Sequence, residues 1–134
     1  MREIKFRVWD KRNKTMFKIF DSVTQEDWYL PHWKDLYEVM QYTGLRDSKR
    51  TEEYPDGQEI YEGDIVYFSI FDHNGSDTQY KGVVKWNNAM FEIWYSVELE
   101  YFGHDGGFVL AWAHSQDDEF EVIGNIYENP ELLK

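Results

Sequence analysis

Short β-branched and aromatic runs, each closed by Gly, Asn or Asp, recur along this whole sequence. That rhythm favours a small, curved β-structure over any helical architecture. Ile4, Phe6 and Val8 alternate with Lys5, Arg7 and Trp9, the period-two pattern of a half-buried strand. Asp10-Lys11-Arg12-Asn13-Lys14 supplies turn chemistry and Met16–Phe20 a second apolar run, so residues 2–20 read as a β-hairpin. Glu38–Thr43 reads as a strand ending at Gly44. Arg46–Glu59, polar and holding Pro55-Asp56-Gly57, reads as an exposed loop and the first place to expect disorder. Gly63-Asp64 opens a strand over Ile65–Phe71, and Asp72–Asp77 is a loop. Tyr80–Trp86 and Met90–Val97 flank Asn87-Asn88, a pair that tolerates positive φ in a tight hairpin. Phe108–Trp112 and Phe120–Tyr127 complete about eight strands, by the spacing rule for all-β chains. Thr24–Tyr37 is ambiguous: Thr24 with Asp27 resembles a weak capping box, but Pro31 limits any helix to a turn or two.

The expected fold is therefore mainly β: a small SH3-like barrel or strongly curved antiparallel sheet with an N-terminal hairpin and little helix. No internal repeat or linker divides the 134 residues, so one domain over 1–134 is expected. Cysteine is absent, which excludes disulfides, thiol catalysis and thiolate metal sites. No apolar run approaches the roughly 20 residues that cross a bilayer, and Met1–Lys5 lacks a signal-peptide core; a soluble intracellular protein is expected.

Charge is segregated. Residues 1–20 hold seven bases and two acids, a net +5, whereas residues 21–134 carry −17, which together make the chain's −12. From Trp86 to Leu133 there is no Lys or Arg, while ten Asp and Glu occur. The basic hairpin is expected to pack on the acidic body or to swap onto a second copy, making a homo-oligomer. The acidic balance disfavours duplex DNA and anionic membranes as partners, since phosphate neutralisation needs clustered bases.

Three segments carry a resemblance. Arg2–Asp10 (REIKFRVWD), Met40–Asp47 (MQYTGLRD) with Gly57–Val66 (GQEIYEGDIV), and Glu121–Leu133 (EVIGNIYENPELL) together resemble the YopX family of phage and prophage proteins from Gram-positive bacteria. The resemblance implies a phage-derived cytoplasmic protein, mainly β with an SH3-like element, and brings no activity, cofactor or catalytic residue. Its signature residues here are Trp9, Tyr42, Gly44, Tyr61, Gly63, Asp64, Gly124 and Asn125, expected to be structural. Ser48–Asp56 is longer than the family's usual short turn.

Candidate chemistry is thin. His104-Asp105 and His114 with Asp117 could ligate a metal only if their loops converged, and no compact ligand motif is present. Asp72–Asp77 fails as a calcium loop because its Gly falls fourth and position twelve is Val83. Ser115 beside His114 lacks a nucleophile elbow. Gly103, Gly106 and Gly107 are followed by no Lys, so no phosphate loop forms. Neither a cofactor, a metal nor a catalytic residue is expected.

The aromatics say more. Phe91-Glu92-Ile93-Trp94-Tyr95 puts large rings on both faces of one strand, and an uncovered face would be an interface. The candidate surface is Trp94, Tyr95, Glu98, Glu100, Trp112, Asp117, Asp118 and Glu119. The expected function is a non-enzymatic protein-interaction module meeting a host or phage protein through this acidic, aromatic surface, DNA mimicry being one form of it. The alternative is a small barrel binding single-stranded nucleic acid, which the basic hairpin and stacking rings favour and the acidic body opposes.

Overall fold

The computed structural model describes residues 5–18, 36–71, 75, 77–87, 90–97, 100–101, 107–116 and 119–133. The expected hairpin forms as β1 (Phe6–Asp10) and β2 (Thr15–Lys18), paired with Arg7 opposite Lys18. Its turn is held by one side chain. Asp10 accepts hydrogen bonds from the backbone N–H groups of Arg12 and Asn13 and from the Asn13 side-chain amide.

β1 also pairs with β3 (Tyr37–Arg46), and β3 with β4 (Glu59–Tyr61), giving a four-stranded antiparallel sheet in the order β2-β1-β3-β4. The hairpin thus docks on its own chain. A second antiparallel sheet, curled into a half-barrel, takes the order β10-β5-β6-β7-β8. Its strands are β5 (Asp64–Phe71), β6 (Asp77–Asn87), β7 (Met90–Val97), β8 (Glu100–Tyr101), and β10 (Glu121–Asn125). β9 (Gly107–Val109) adds to β7. The mainly β architecture read from the sequence is the one that forms.

Two readings are corrected. The expected strand Phe108–Trp112 ends at Val109, and Leu110–Gln116 is instead a helix, α1. Leu and Ala are strong helix formers, and Leu110 and Ala113 stand three apart on one face, both buried in the half-barrel core. Residues 46–59 are not simply an exposed loop. Asp47 is buried, its carboxylate accepting the backbone N–H of Gln58 at 2.8 Å and that of Val122 at 3.0 Å. The Ser48 N–H also donates to the Phe120 carbonyl at 2.7 Å, so both ends of the loop are fastened to ordered structure. The helical turn read near Thr24, the second Asn of the Asn87-Asn88 turn, and most of the 72–77 loop lie outside the described residues.

The core is shared between the sheets. Ile60 of β4 packs with Val66, Phe68, Val84, Ile93 and Phe120 of the half-barrel side, and Phe68 contacts the rings of Tyr80, Phe108 and Phe120. The Gly63 turn bonds the sheets together. With φ near 84°, Gly63 donates its N–H to the Val84 carbonyl and accepts at its own carbonyl the N–H of Ile126. Asp64 then accepts the Tyr61 N–H at 2.8 Å, closing the turn that launches β5.

Gly57 occupies a second left-handed position, φ 91°, where an added Cβ would overlap the Asp47 carbonyl oxygen. Gly57→Ala is therefore expected to cost at least roughly 1–3 kcal/mol, from backbone strain and a contact with rigid main chain. A denaturant midpoint equal to that of the unaltered protein would refute this.

Candidate functional site

The register of the four-stranded sheet concentrates charge. Arg7 stands opposite Lys18, Tyr42 opposite Tyr61, and Arg46 opposite Glu59, while the Tyr42 N–H donates to the Lys5 carbonyl. Together these residues open a cleft of about 430 Å³, lined by Lys5, Arg7, Lys18 and Arg46, by Glu59, and by Phe17, Tyr54 and Tyr61. Four bases facing one lining carboxylate is the reverse of the chain's overall balance.

Three of the bases converge on Glu59. Lys5 is hydrogen-bonded to its carboxylate, while Lys18 Nζ approaches at 3.7 Å and Arg46 Nη2 at 3.6 Å. Burial would raise the Glu59 carboxyl, but the Lys5 hydrogen bond and the charges of Lys5, Lys18 and Arg46 outweigh it and hold it below its ordinary value. The fourth base is engaged below. Arg7 donates to Asp64 at 2.5 Å and to the Glu62 carbonyl at 3.2 Å, with its guanidinium 4.7 Å from the Tyr61 ring centre. Asp64 is 1% exposed, and burial pushes its carboxyl up to about 6 against the pull of Arg7. Burial, with the charge of Glu59 beside it, likewise pushes the Tyr61 hydroxyl up to about 12. Tyr61 thus stays neutral and Glu59 charged across the neutral range, while Asp64 loses its charge as pH falls through about 6; the cleft is cationic on either side of that value.

Of the signature residues, Tyr61 lines this cleft; the others hold packing and turn positions. Trp9 stacks on Tyr127 with ring centres 5.7 Å apart, and Tyr42 tilts against Tyr61 at 5.5 Å. Gly44 takes a positive φ within β3, and Gly124 follows a register shift in β10 that brings the chain close to Asn129. Asn125 accepts the N–H groups of Tyr127 and Glu128, turning the chain after β10.

The candidate aromatic surface is divided. Trp94 donates its indole N–H to Glu92 and lies under Lys85, whose Nζ is 5.6 Å from the ring centre. Trp112 stacks on Phe108, which pairs with buried Ile93, the neighbour of Trp94 on the opposite face of β7. The two tryptophans thus belong to different faces. Tyr95 lies on β7 and Glu100 on β8; Glu119 is exposed and borders a shallow groove with Lys49 and Glu121. Glu98, Asp117 and Asp118 fall outside the described residues, as do His104 and Asp105.

Other apolar side chains are exposed at the joined ends of β6 and β7, on both faces. Trp86, 50% exposed, pairs with Phe91 and meets it edge-on with centres 4.8 Å apart, on the face of Val84 and Ile93, whereas Met90, 40% exposed, pairs with Asn87 and belongs to the other face. Val109, 46% exposed, pairs with Glu92 two residues along β7.

His114 and Ser115 have structural partners. The His114 ring bonds the Arg46 carbonyl at 2.6 Å and packs on Phe120, and the Ser115 hydroxyl donates to the Trp112 carbonyl at 2.6 Å. Among the described residues no three His, Asp or Glu side chains gather as metal ligands, and no helix is long and apolar enough to cross a membrane.

Sequence reasoning did not single out Arg46, Tyr54 or Glu59. The signal that pointed toward the cleft was the excess of bases in residues 1–20 of an otherwise acidic chain. The family model described as YopX protein matches residues 5–134, nearly the whole chain. No curated protein matches it.

Proposed function

The chain belongs to the YopX protein family, and from that premise we propose that it is a non-enzymatic protein-interaction module made by a phage or prophage. It acts in the bacterial cytoplasm on a host or phage protein. The observation that carries this reading is the exposed aromatic group at the β6–β7 end, where Trp86 stands half out of water against its cross-strand partner Phe91. A large aromatic side chain held by an edge-on neighbour is preorganised for contact, and Trp is among the commonest interface anchors. This group opens the 48-residue stretch from Trp86 to Leu133 that contains ten acids and no base, so the matching partner surface is apolar with a basic rim.

The test uses a partner captured from bacterial lysate and then purified. Trp86→Ala should weaken its binding by at least about tenfold, the effect of losing an anchor, while the unfolding midpoint stays nearly constant. An unchanged affinity would overturn the assignment of this surface. Single-stranded nucleic acid is the second reading, favoured by the bases and tyrosines that the cleft brings together.

A further inference from the structure

We infer that the cleft over Glu59 is a binding site for a mononucleotide-sized phosphomonoester, its phosphoryl group held by Lys5, Lys18 and Arg46 and its ring set against Tyr54. No feature of the interaction surface at the other sheet enters this inference.

Charge selects the class of ligand. The Arg7 charge is matched by Asp64, and Lys5 is hydrogen-bonded to Glu59. Lys18 and Arg46 stand 3.7 and 3.6 Å from that same carboxylate, so among the described lining residues they add two positive charges to a pair already made. A phosphomonoester carries about −1.5 to −2 at neutral pH and matches that excess, whereas a lone carboxylate matches half of it. Glu59 draws the three cations toward one point, which lowers the cost of gathering them when an anion arrives. Lys18 and Arg46 approach Glu59 beyond hydrogen-bond distance, and their side chains remain 64% and 42% exposed. Both can still donate to phosphoryl oxygens, Arg46 through the part of its planar fork not engaged at the Gly57 carbonyl, to which Nη1 donates at 3.2 Å.

Size and wall chemistry set the rest. A cleft of about 430 Å³ falls in the range of small-ligand sites, roughly 300–1,000 Å³. The Tyr61 and Tyr42 rings already face Arg7 and Lys5, but Tyr54 stands at the rim, 37% exposed, with Phe17 and Met16 also lining the space. A base can lie against such a ring whatever its identity. A strand fits less well than a single nucleotide. Its further phosphates would meet an acidic chain: Glu52, Glu53 and Asp56 belong to the loop that carries Tyr54, and residues 21–134 sum to −17.

The test is an amide chemical-shift titration of the full chain with adenosine and uridine 5′-monophosphates, adenosine, inorganic phosphate and an eight-residue oligothymidylate. Either monophosphate should give saturable shifts centred on residues 5, 18, 46 and 54. Adenosine should give none, and inorganic phosphate should bind at least about tenfold more weakly, having no ring to stack. Lys18→Gln and Arg46→Gln should each weaken the monophosphate, and the double variant by more than about tenfold, because charge-assisted hydrogen bonds are lost. Spectra unchanged away from the cleft would show that the fold persists; should Arg46→Gln disturb it, the exposed Lys18→Gln carries the test alone. Absence of saturable shifts, phosphate binding as tightly as the nucleotides, or titrations indifferent to the substitutions would overturn the proposal. Binding of the oligonucleotide more than about tenfold tighter than either monophosphate would overturn it in favour of a strand.

Discussion

Replacing Arg7 with methionine is expected to lower the free energy of unfolding by about 3–5 kcal/mol, the usual consequence of removing one partner from a buried ion pair. The Asp64 carboxylate would then stand 1% exposed, with the Tyr61 N–H as its remaining hydrogen-bond donor among the described residues. The deficit should depend on pH. Burial already raises Asp64 to about 6, and Arg7 is the chief group opposing that rise. Without Arg7 the folded-state value climbs further above the unfolded one of about 3.9. A carboxyl raised on folding destabilises at pH above its folded value, and that penalty fades as pH falls toward the unfolded value. The variant should therefore be most deficient near pH 8 and recover part of the loss near pH 5. Glu59, depressed on folding, contributes stability that is present above its unfolded value and lost only at more acidic pH, so it stays charged through this window. Urea unfolding of both proteins at the two pH values is the measurement. Equal deficits at pH 5 and pH 8 would mean that the buried charge is not the cause.

Asp47→Ala should be comparably damaging, by about 2–6 kcal/mol, because it strands two hydrogen-bond donors at roughly 1–3 kcal/mol each. The N–H of Gln58 and of Val122 both point at this one carboxylate, from the loop and from β10. Asp47→Asn should recover only part of the loss, since an amide offers one acceptor oxygen where two donors converge. Hydrogen exchange gives the local readout. Exchange should quicken at Gln58 and Val122 in both variants under native conditions. Protection unchanged at Val122 would show that the carboxylate is not what holds β10.

The strands were legible because their signals are local. The alternation through Lys5, Arg7 and Trp9, the Gly63-Asp64 turn and the β6–β7 hairpin all follow from residues within a few positions of one another. The helix over Leu110–Gln116 was hidden by Phe108 and Val109, which extend the apolar run backwards and make it look like one strand. Asp47 looked like any of the 26 acids in a polar loop. What distinguishes it is Val122, 75 positions away. The cleft was half visible: its hairpin bases stood out, but their meeting point depends on the register that sets Arg46 across from Glu59. No local pattern encodes that register. The separation of Trp94 from Trp112 was lost with the helix, because Trp112 had been placed on a strand of its own.

The clasp at Gly63 has a bearing on how the polypeptide matures. That residue bonds Val84 in one direction and Ile126 in the other, and the neighbouring β5 is hydrogen-bonded to β10. On the ribosome, the first sixty or so residues emerge before any of those acceptors and donors exist. Ile60 and Val66 must wait for Phe120 and Val122, which belong to the same core. Long-range closures of this kind slow folding and prolong the exposure of apolar strands. Closure of this core thus waits for β10, and a nascent chain stalled before Glu121 would present an open sheet edge along β5 to its neighbours.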